Sequence, residues 1–447
     1  MAKTFASQRR VIPGAADFLS AAHDHIARLV KDDLFAGAVL VAAGDDILLR
    51  EGFGLADREH RAPHTPASQF RLGSLTKQFT AAAILQLMED GQLALDDRIA
   101  QHFPDALAHW REVRLIHLLT HTSGIPSYTS IPGFFEKEAR REHSPREIIA
   151  LTDHAPLLFE PGSEFKYNNG GYVILGHIVE RVTGTSYETF LSDHLLRPLG
   201  LNDTGYERTD RPLRTRGYRV ENGRIENAAF LAMSVPYAAG AVYSAADDLL
   251  SWLSALKTAK PISAASVALM MKDHGHGYGM GFAIQSQFSR RHLVHAGGIN
   301  GFSVVMSHYP DDDLTILALA NIQGAPVQTL ARDLAALYFG VEENDGVALD
   351  PALLADYVGS YQLGEDKILR VTQESARLFI EWDGMAYEAK AEDDHCFSVK
   401  PGGWPLVFDS DGVSLAHRAT LTVSGQKWSG PRIEDGGPAE SKSCKTV

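Results

Sequence analysis

Cysteine is nearly absent. The 447 residues hold two, Cys396 and Cys444. Cys444 lies in the polar terminal stretch ESKSCKTV, so neither a disulfide framework nor a cysteine-rich metal site is expected. Long apolar runs are missing too. No stretch reaches the roughly 18 apolar residues that a spanning helix needs, which removes a membrane as partner. The opening residues, MAKTFASQRRVIPGAADFLSAAHDHIARL, carry no apolar block of signal-peptide length, so the cytoplasm is the expected compartment. Positive charge is in deficit. With 42 Lys and Arg against 56 Asp and Glu, the formal net charge is −14. A nucleic-acid partner is disfavoured, because the phosphate backbone wants a basic face. No solenoid-type repeat is present.

The chain is too long for one typical core, so two domains are the prior. Residues 14–31 place Phe18, Leu19, Ala22, Ile26 and Leu29 at helical spacing. Two β-rich runs then flank the turn signal Gly44-Asp45-Asp46. A long helix is expected from about Leu75 to Asp90, with Ile84, Leu87 and Met88 on one face and Gly91 as its stop. Further helices are expected at 172–183, ending at Gly184, and at 245–257, opened by the capping-box-like Ser244-Ala-Ala-Asp247. YGMGFAI, RHLVHAGG, SVVMSHY and LTILALAN read as consecutive antiparallel strands. Strands at both ends with helices between them define an α+β class.

Near residue 345 the composition changes, and ENDGVALDP reads as a linker. From Tyr357 six short alternating runs follow: YVGSYQL, KILRVTQ, RLFIEWD, YEAKAED, FSVKP and PLVFDS. They predict a small all-β barrel or sandwich. The expected domains are 1–345 and 346–435, with a disordered tail over 436–447.

The chemistry concentrates in RLGSLTKQFTAAAILQL. Ser74 precedes Lys77 by three residues at the start of a helix, and positions i and i+3 share a face. A serine hydroxyl is a poor nucleophile until a neighbouring base takes its proton. Lysine can be that base only when burial or nearby cations lower its pKa. The tetrapeptide alone is weak, since S-x-x-K recurs at Ser163–Lys166, Ser254–Lys257 and Ser424–Lys427. What singles out Ser74 is the order of its partners. Tyr167-Asn168-Asn169 is the only Y-x-N in the chain, and a loop tyrosine beside a lysine can act as base or proton shuttle. The alternative is a tyrosine packed at a loop–helix junction with Asn169 as helix cap. His295-Ala296-Gly297-Gly298 closes a strand, where small residues let a substrate approach. The Gly298 amide could then join that of Ser74 as an oxyanion hole. The alternative is a tight turn at Gly297-Gly298 with a solvent-facing His295. Lys400-Pro401-Gly402 is a decoy of similar pattern.

Together, Ser74-x-x-Lys77, Tyr167-x-Asn169 and His295-x-Gly297 resemble the serine β-lactamase and penicillin-binding-protein superfamily, in its class C-like branch. IHLLTHTSGI, EPGSEFKYNNGGYVILGHIVE, RPLGLNDTGY and AAGAVYSAADDLLSWL also resemble it, so the likeness covers roughly residues 15–340. It implies an antiparallel sheet flanked by helices plus an all-helical subdomain. It implies Ser74 as nucleophile, Lys77 and Tyr167 as proton carriers, and Asn169 orienting the lysine and the substrate amide. No cofactor or metal is required. His295 stands where β-lactamases have lysine, a change that recurs in D-aminopeptidases, D-amino-acid amidases and related esterases. Its implied role is to contact the substrate carboxylate or leaving group, or to tune Tyr167. The C-terminal segment resembles the lipocalin-like barrel appended to some of those peptidases.

The expected function is therefore hydrolysis of amide bonds in small peptides, those with D-residues included, through an acyl-enzyme on Ser74. A carboxylesterase or β-lactamase of the same fold is the alternative. A non-catalytic binding protein is a third reading, which the intact Ser74, Lys77 and Tyr167 argue against. The expected partner is a small-molecule or short-peptide substrate, and homo-oligomerisation is left open. Among the 19 histidines, the i, i+4 pair His117 and His121 is a weak metal candidate. Asp273-His274-Gly275-His276 is expected to be a loop, with a metal role as its weak alternative.

Overall fold

The computed structural model describes residues 15–102, 110–208, 210, 213, 215–221, 224–341, 349–364, 367–382, 385–392, 394–399, 404–409, 415–423 and 426–433. The chain divides into two compact units, Met1–Val341 and Glu342–Val447. The expected boundary at 345, most of the linker, the tail over 436–447 with Cys444, Ser424 and the Lys400-Pro401-Gly402 decoy fall outside the described residues.

A six-stranded sheet forms the backbone of the first unit. Its strands run in the order Ala283–Gln287, Arg290–Ile299, Phe302–Tyr309, Leu314–Ala320, Gly37–Ala43 and Asp46–Phe53. All neighbours are antiparallel. The two ends of the chain segment thus meet in mid-sheet, where Gly37 pairs with Ala320. The first strand of the expected set starts later than YGMGFAI: Tyr278 makes only an isolated bridge to Ala283. Gly281, with φ +81, bends the intervening chain against the backbone of Lys77 and Gln78.

One face of this sheet packs on the Ala15–Lys31 and Val327–Phe339 helices through Phe18, Ile26, Val39, Ile316 and Leu330. The other face packs on Thr76–Glu89, which follows a 3-10 turn at Gly73–Leu75. The one-sided reading of this helix needs correction. Every residue from Thr76 to Leu85 is buried, because the sheet covers one side and a helical region covers the other. A helix buried all round has no polar face, so its apolar periodicity is weak. The second cover includes Asn169–Thr183, capped by Gly184 at φ +70, while Ala246–Lys257 packs on the sheet beside Thr76–Glu89.

The capping box expected at Ser244 is absent. Ala245 is the N-cap and supplies no side-chain bond. Ser244 Oγ instead lies 2.7 Å from Thr204 Oγ1, and Asp247 pairs with Arg50.

The second unit contains a closed eight-stranded antiparallel barrel. Its last strand returns to its first through Ser360–Ile433 and Tyr361–Arg432. Side chains fill it, among them Tyr361, Leu369, Val371, Ile380, Phe397, Phe408 and Leu421. The strands Arg418–Val423 and Gln426–Ile433 complete the six expected runs to eight. RATLTV alternates Ala419, Leu421 and Val423 with polar residues and is readable as a strand, whereas Gly430 and Pro431 interrupt the pattern of QKWSGPRI.

Trp252 locks the Ala246–Lys257 helix to the Thr76–Glu89 helix. Its ring stacks on Phe79 at 4.3 Å, and its indole N–H donates to Gln78 Oε1 at 3.1 Å. Trp252→Ala is expected to cost about 3–5 kcal/mol of stability in urea unfolding. A loss under about 1 kcal/mol would contradict this packing.

Candidate active site

The nucleophile candidate sits at a forced turn. Gly73 has φ +50, and a Cβ there would lie 3.1–3.3 Å from backbone atoms of Gly298. The Ser74 turn and the Arg290–Ile299 strand therefore approach backbone to backbone. Gly297 tightens the same approach, since a Cβ would meet the Leu72 carbonyl at 1.9 Å. The chain turn after this strand falls at Asn300 and Gly301, beyond Gly297 and Gly298.

Lys77 reaches back from the first turn of its helix. Its Nζ lies 3.0 Å from Ser74 Oγ, 2.9 Å from Asn169 Oδ1 and 3.0 Å from the Ala239 carbonyl oxygen. The side chain is fully buried and has no carboxylate among these partners. Burial alone holds its pKa well below that of a free lysine, because a low-dielectric site penalises the cation. A neutral amine has two N–H groups and one lone pair. In that form the two carbonyl-type oxygens, which only accept, take the N–H groups and leave the lone pair for the Ser74 hydroxyl.

Tyr167 covers this amine. Lys77 Nζ sits 4.9 Å from the centre of its ring. The residue is 39% exposed, yet its hydroxyl end is enclosed. That enclosure raises its pKa above the ordinary phenol value, and the neighbouring Ser74 hydroxyl offsets the rise in part. Asn169 is not the helix cap. Asn168 is, accepting from the Gly171 amide at 3.3 Å. That frees Asn169, the first helical residue, to turn towards Lys77.

His295 is buried, not solvent-facing. Its Nδ1 is 2.8 Å from the Ala296 carbonyl oxygen and its Nε2 is 2.9 Å from the Tyr278 hydroxyl. A carbonyl only accepts, so Nδ1 carries the proton and Nε2 accepts from Tyr278. Burial pushes the imidazole down to about 3. Tyr278 was not legible in the sequence, because it reaches the site from a loop without periodicity. That loop is shaped by Asp273, whose Oδ1 accepts from the amides of Gly275, His276 and Gly277. The carboxylate is thereby committed to backbone.

Two of the other S-x-x-K matches have their polar groups committed. Ser163 Oγ donates to the Glu160 carbonyl in an exposed loop, and Lys257 pairs with Asp313. His117 and His121 do not share a helix face, because the Leu115–Leu119 helix ends before His121 turns to φ +60. Among the described residues no group of three His, Cys, Asp or Glu side chains could hold a metal ion. No helix among them is long and apolar enough to cross a membrane.

Over residues 22–340 the chain matches the Beta-lactamase family. It belongs to that family and is a serine hydrolase. Penicillin-binding protein 4* of Bacillus subtilis (strain 168) is 30% identical over 385 residues, spanning 78% of this chain and 84% of that protein. The octameric penicillin-binding protein homologue from Pyrococcus abyssi superposes with a TM-score of 0.68 at 23% identity, covering 92% of this chain and 99% of that one. The D-amino acid amidase from Ochrobactrum anthropi SV3, complexed with D-phenylalanine, does so with a TM-score of 0.63 at 23% identity, covering 73% of this chain and 100% of that one. These two structural likenesses concern the fold.

The two adjacent glycines separate cleanly. A Cβ on Gly298 would meet nothing within 4 Å. Gly297→Ala is expected to lower Tm by several degrees or to prevent folding, whereas Gly298→Ala shifts it by less than about 2 °C. Equal behaviour of the two variants in a thermal melt would contradict the close approach at Leu72.

Proposed function

We propose that this protein hydrolyses amide bonds of small peptides or amino-acid amides through an acyl-enzyme on Ser74. The observation that carries this reading is the buried, carboxylate-free Lys77 amine 3.0 Å from Ser74 Oγ. In the acylation step Ser74 Oγ forms the new bond to the acyl carbon as its proton passes to the Lys77 lone pair. Tyr167, beside Ser74, relays a proton to the departing nitrogen, and the carbon–nitrogen bond breaks. The amides of Ser74 and Gly298 receive the developing oxyanion. Water then adds to the ester carbon, its proton returns through the same groups, and the Ser74 ester bond breaks to release the acid. Asn169 holds the lysine amine in register through its 2.9 Å contact.

His295 supports a choice among substrates. Its Nδ1 is committed to Ala296 and its Nε2 to Tyr278. In this arrangement it has no charge and no free donor to offer a carboxylate. The role of carboxylate contact implied by the resemblance is therefore not retained. A neutral leaving group, as in an amino-acid amide, suits the site better than a peptide ending in a free carboxylate or a penicillin. The likeness to a D-amino acid amidase fold is in keeping with this.

Ser74→Ala is expected to abolish turnover while leaving the circular dichroism spectrum unchanged; retained activity would refute the assignment. Tyr167→Phe is expected to lower kcat by about 10²-fold or more through lost proton transfer. A rise in KM alone would make Tyr167 a binding residue. On parallel panels of D- and L-amino-acid amides, p-nitrophenyl esters, free-carboxylate dipeptides and a penicillin, kcat/KM for an amide should exceed that for its free-carboxylate counterpart by about tenfold or more. The reverse order would overturn the reading of His295, and esters outrunning amides would favour the esterase.

A further inference from the structure

His121 carries two costs in one residue. It is a non-glycine residue with φ +60, a left-handed conformation that bulky side chains rarely adopt. It is also 1% exposed, with a ring nitrogen, Nε2, that has no hydrogen-bond partner. An unsatisfied buried donor is destabilising. Such features persist where the surroundings hold them in place, and they cluster at functional sites.

The left-handed turn lets one residue grip the tyrosine loop on both sides of Tyr167. The His121 carbonyl oxygen accepts from the Lys166 amide at 2.9 Å. Its Nδ1 accepts from the Asn168 amide at 3.1 Å. The amides flanking Tyr167 are thus both bound to His121, and the imidazole lies against the Tyr167 ring with centroids 4.3 Å apart. Tyr172 and Tyr278 close over the same imidazole at 5.2 and 4.8 Å. An amide N–H can only donate, so Nδ1 must be unprotonated for the grip to form. Burial holds its pKa well below the ordinary imidazole value and so favours the neutral ring.

We propose that His121 is the positioning residue for Tyr167, fixing the phenol against Ser74 without itself touching the substrate. The inference rests on the reading of Tyr167 as a proton carrier and adds the residue that sets its place. A histidine that only filled the core would need neither the left-handed backbone nor the two bonds bracketing one tyrosine.

A double-mutant cycle separates positioning from packing. Glycine takes a left-handed φ without strain, so His121→Gly removes the imidazole alone. Asparagine tolerates that φ and brings an oxygen that can accept from the Asn168 amide. On a p-nitrophenyl ester or amino-acid anilide, His121→Gly should lower kcat by about tenfold or more with KM changed by less than about twofold. In a Tyr167→Phe background the same change should cost less than about twofold in kcat. His121→Asn should recover part of the loss, and it carries the same cycle if the glycine variant does not fold. An undiminished loss in the Tyr167→Phe background, or an unchanged kcat in either single variant, would overturn the proposal. A Ser74→Ala control that still turned over would instead overturn the catalytic reading beneath it.

Discussion

A primary amine held out of water, with no carboxylate beside it, is the constraint that organises the first unit. Lys77 is surrounded by Ser74, Asn169 and Ala239 oxygens and by the rings of Tyr167 and Tyr172. A cation there would lose its hydration without gaining a counter-charge. The amine is therefore biased to its neutral form, the only form with a lone pair to offer a hydroxyl. The same bias extends outward. His295 and His121 are both pushed towards neutrality by burial. The pocket thus suppresses cationic charge through burial rather than balancing it with carboxylates.

Keeping that pocket dry requires distant segments to meet closely. The Ser74 turn, the tyrosine loop and the Arg290–Ile299 strand come from residues 73, 167 and 297 of the chain, and each junction is close-packed. Gly73 and Gly297 allow the serine turn and the strand to touch through backbone. Gly281 does the same for the segment that delivers Tyr278. Every residue of the helix from Thr76 to Leu85 is buried, and the Lys77 stem with its amine is enclosed among them. The barrel of the second unit is filled by its own aromatic and aliphatic side chains, so its interior has the character of a packed core.

Much of this was readable from residues alone, and the exceptions have physical causes. Ser74 and Lys77 were legible because i, i+3 spacing at a helix start puts them on one face. Tyr167 and His295 were legible through their order along the chain. The split of labour between Asn168 and Asn169 was not, because either asparagine can cap a helix and only the backbone angle at Asn168 decides it. Tyr278 and His121 were hidden for a different reason. Both act from irregular chain, and His121 depends on a positive φ that no local pattern announces. Of the last two barrel strands, RATLTV carries a clear alternation, while Gly430 and Pro431 hide the other.

The protonation state of Lys77 is the most direct test. In protein labelled with 13C at the lysine ε-carbon, the Lys77 signal is assigned by its loss in Lys77→Met and followed with pH. The account predicts an uncharged amine at neutral pH, titrating well below the other lysines. A Lys77 signal that stays protonated up to the ordinary lysine range would contradict it.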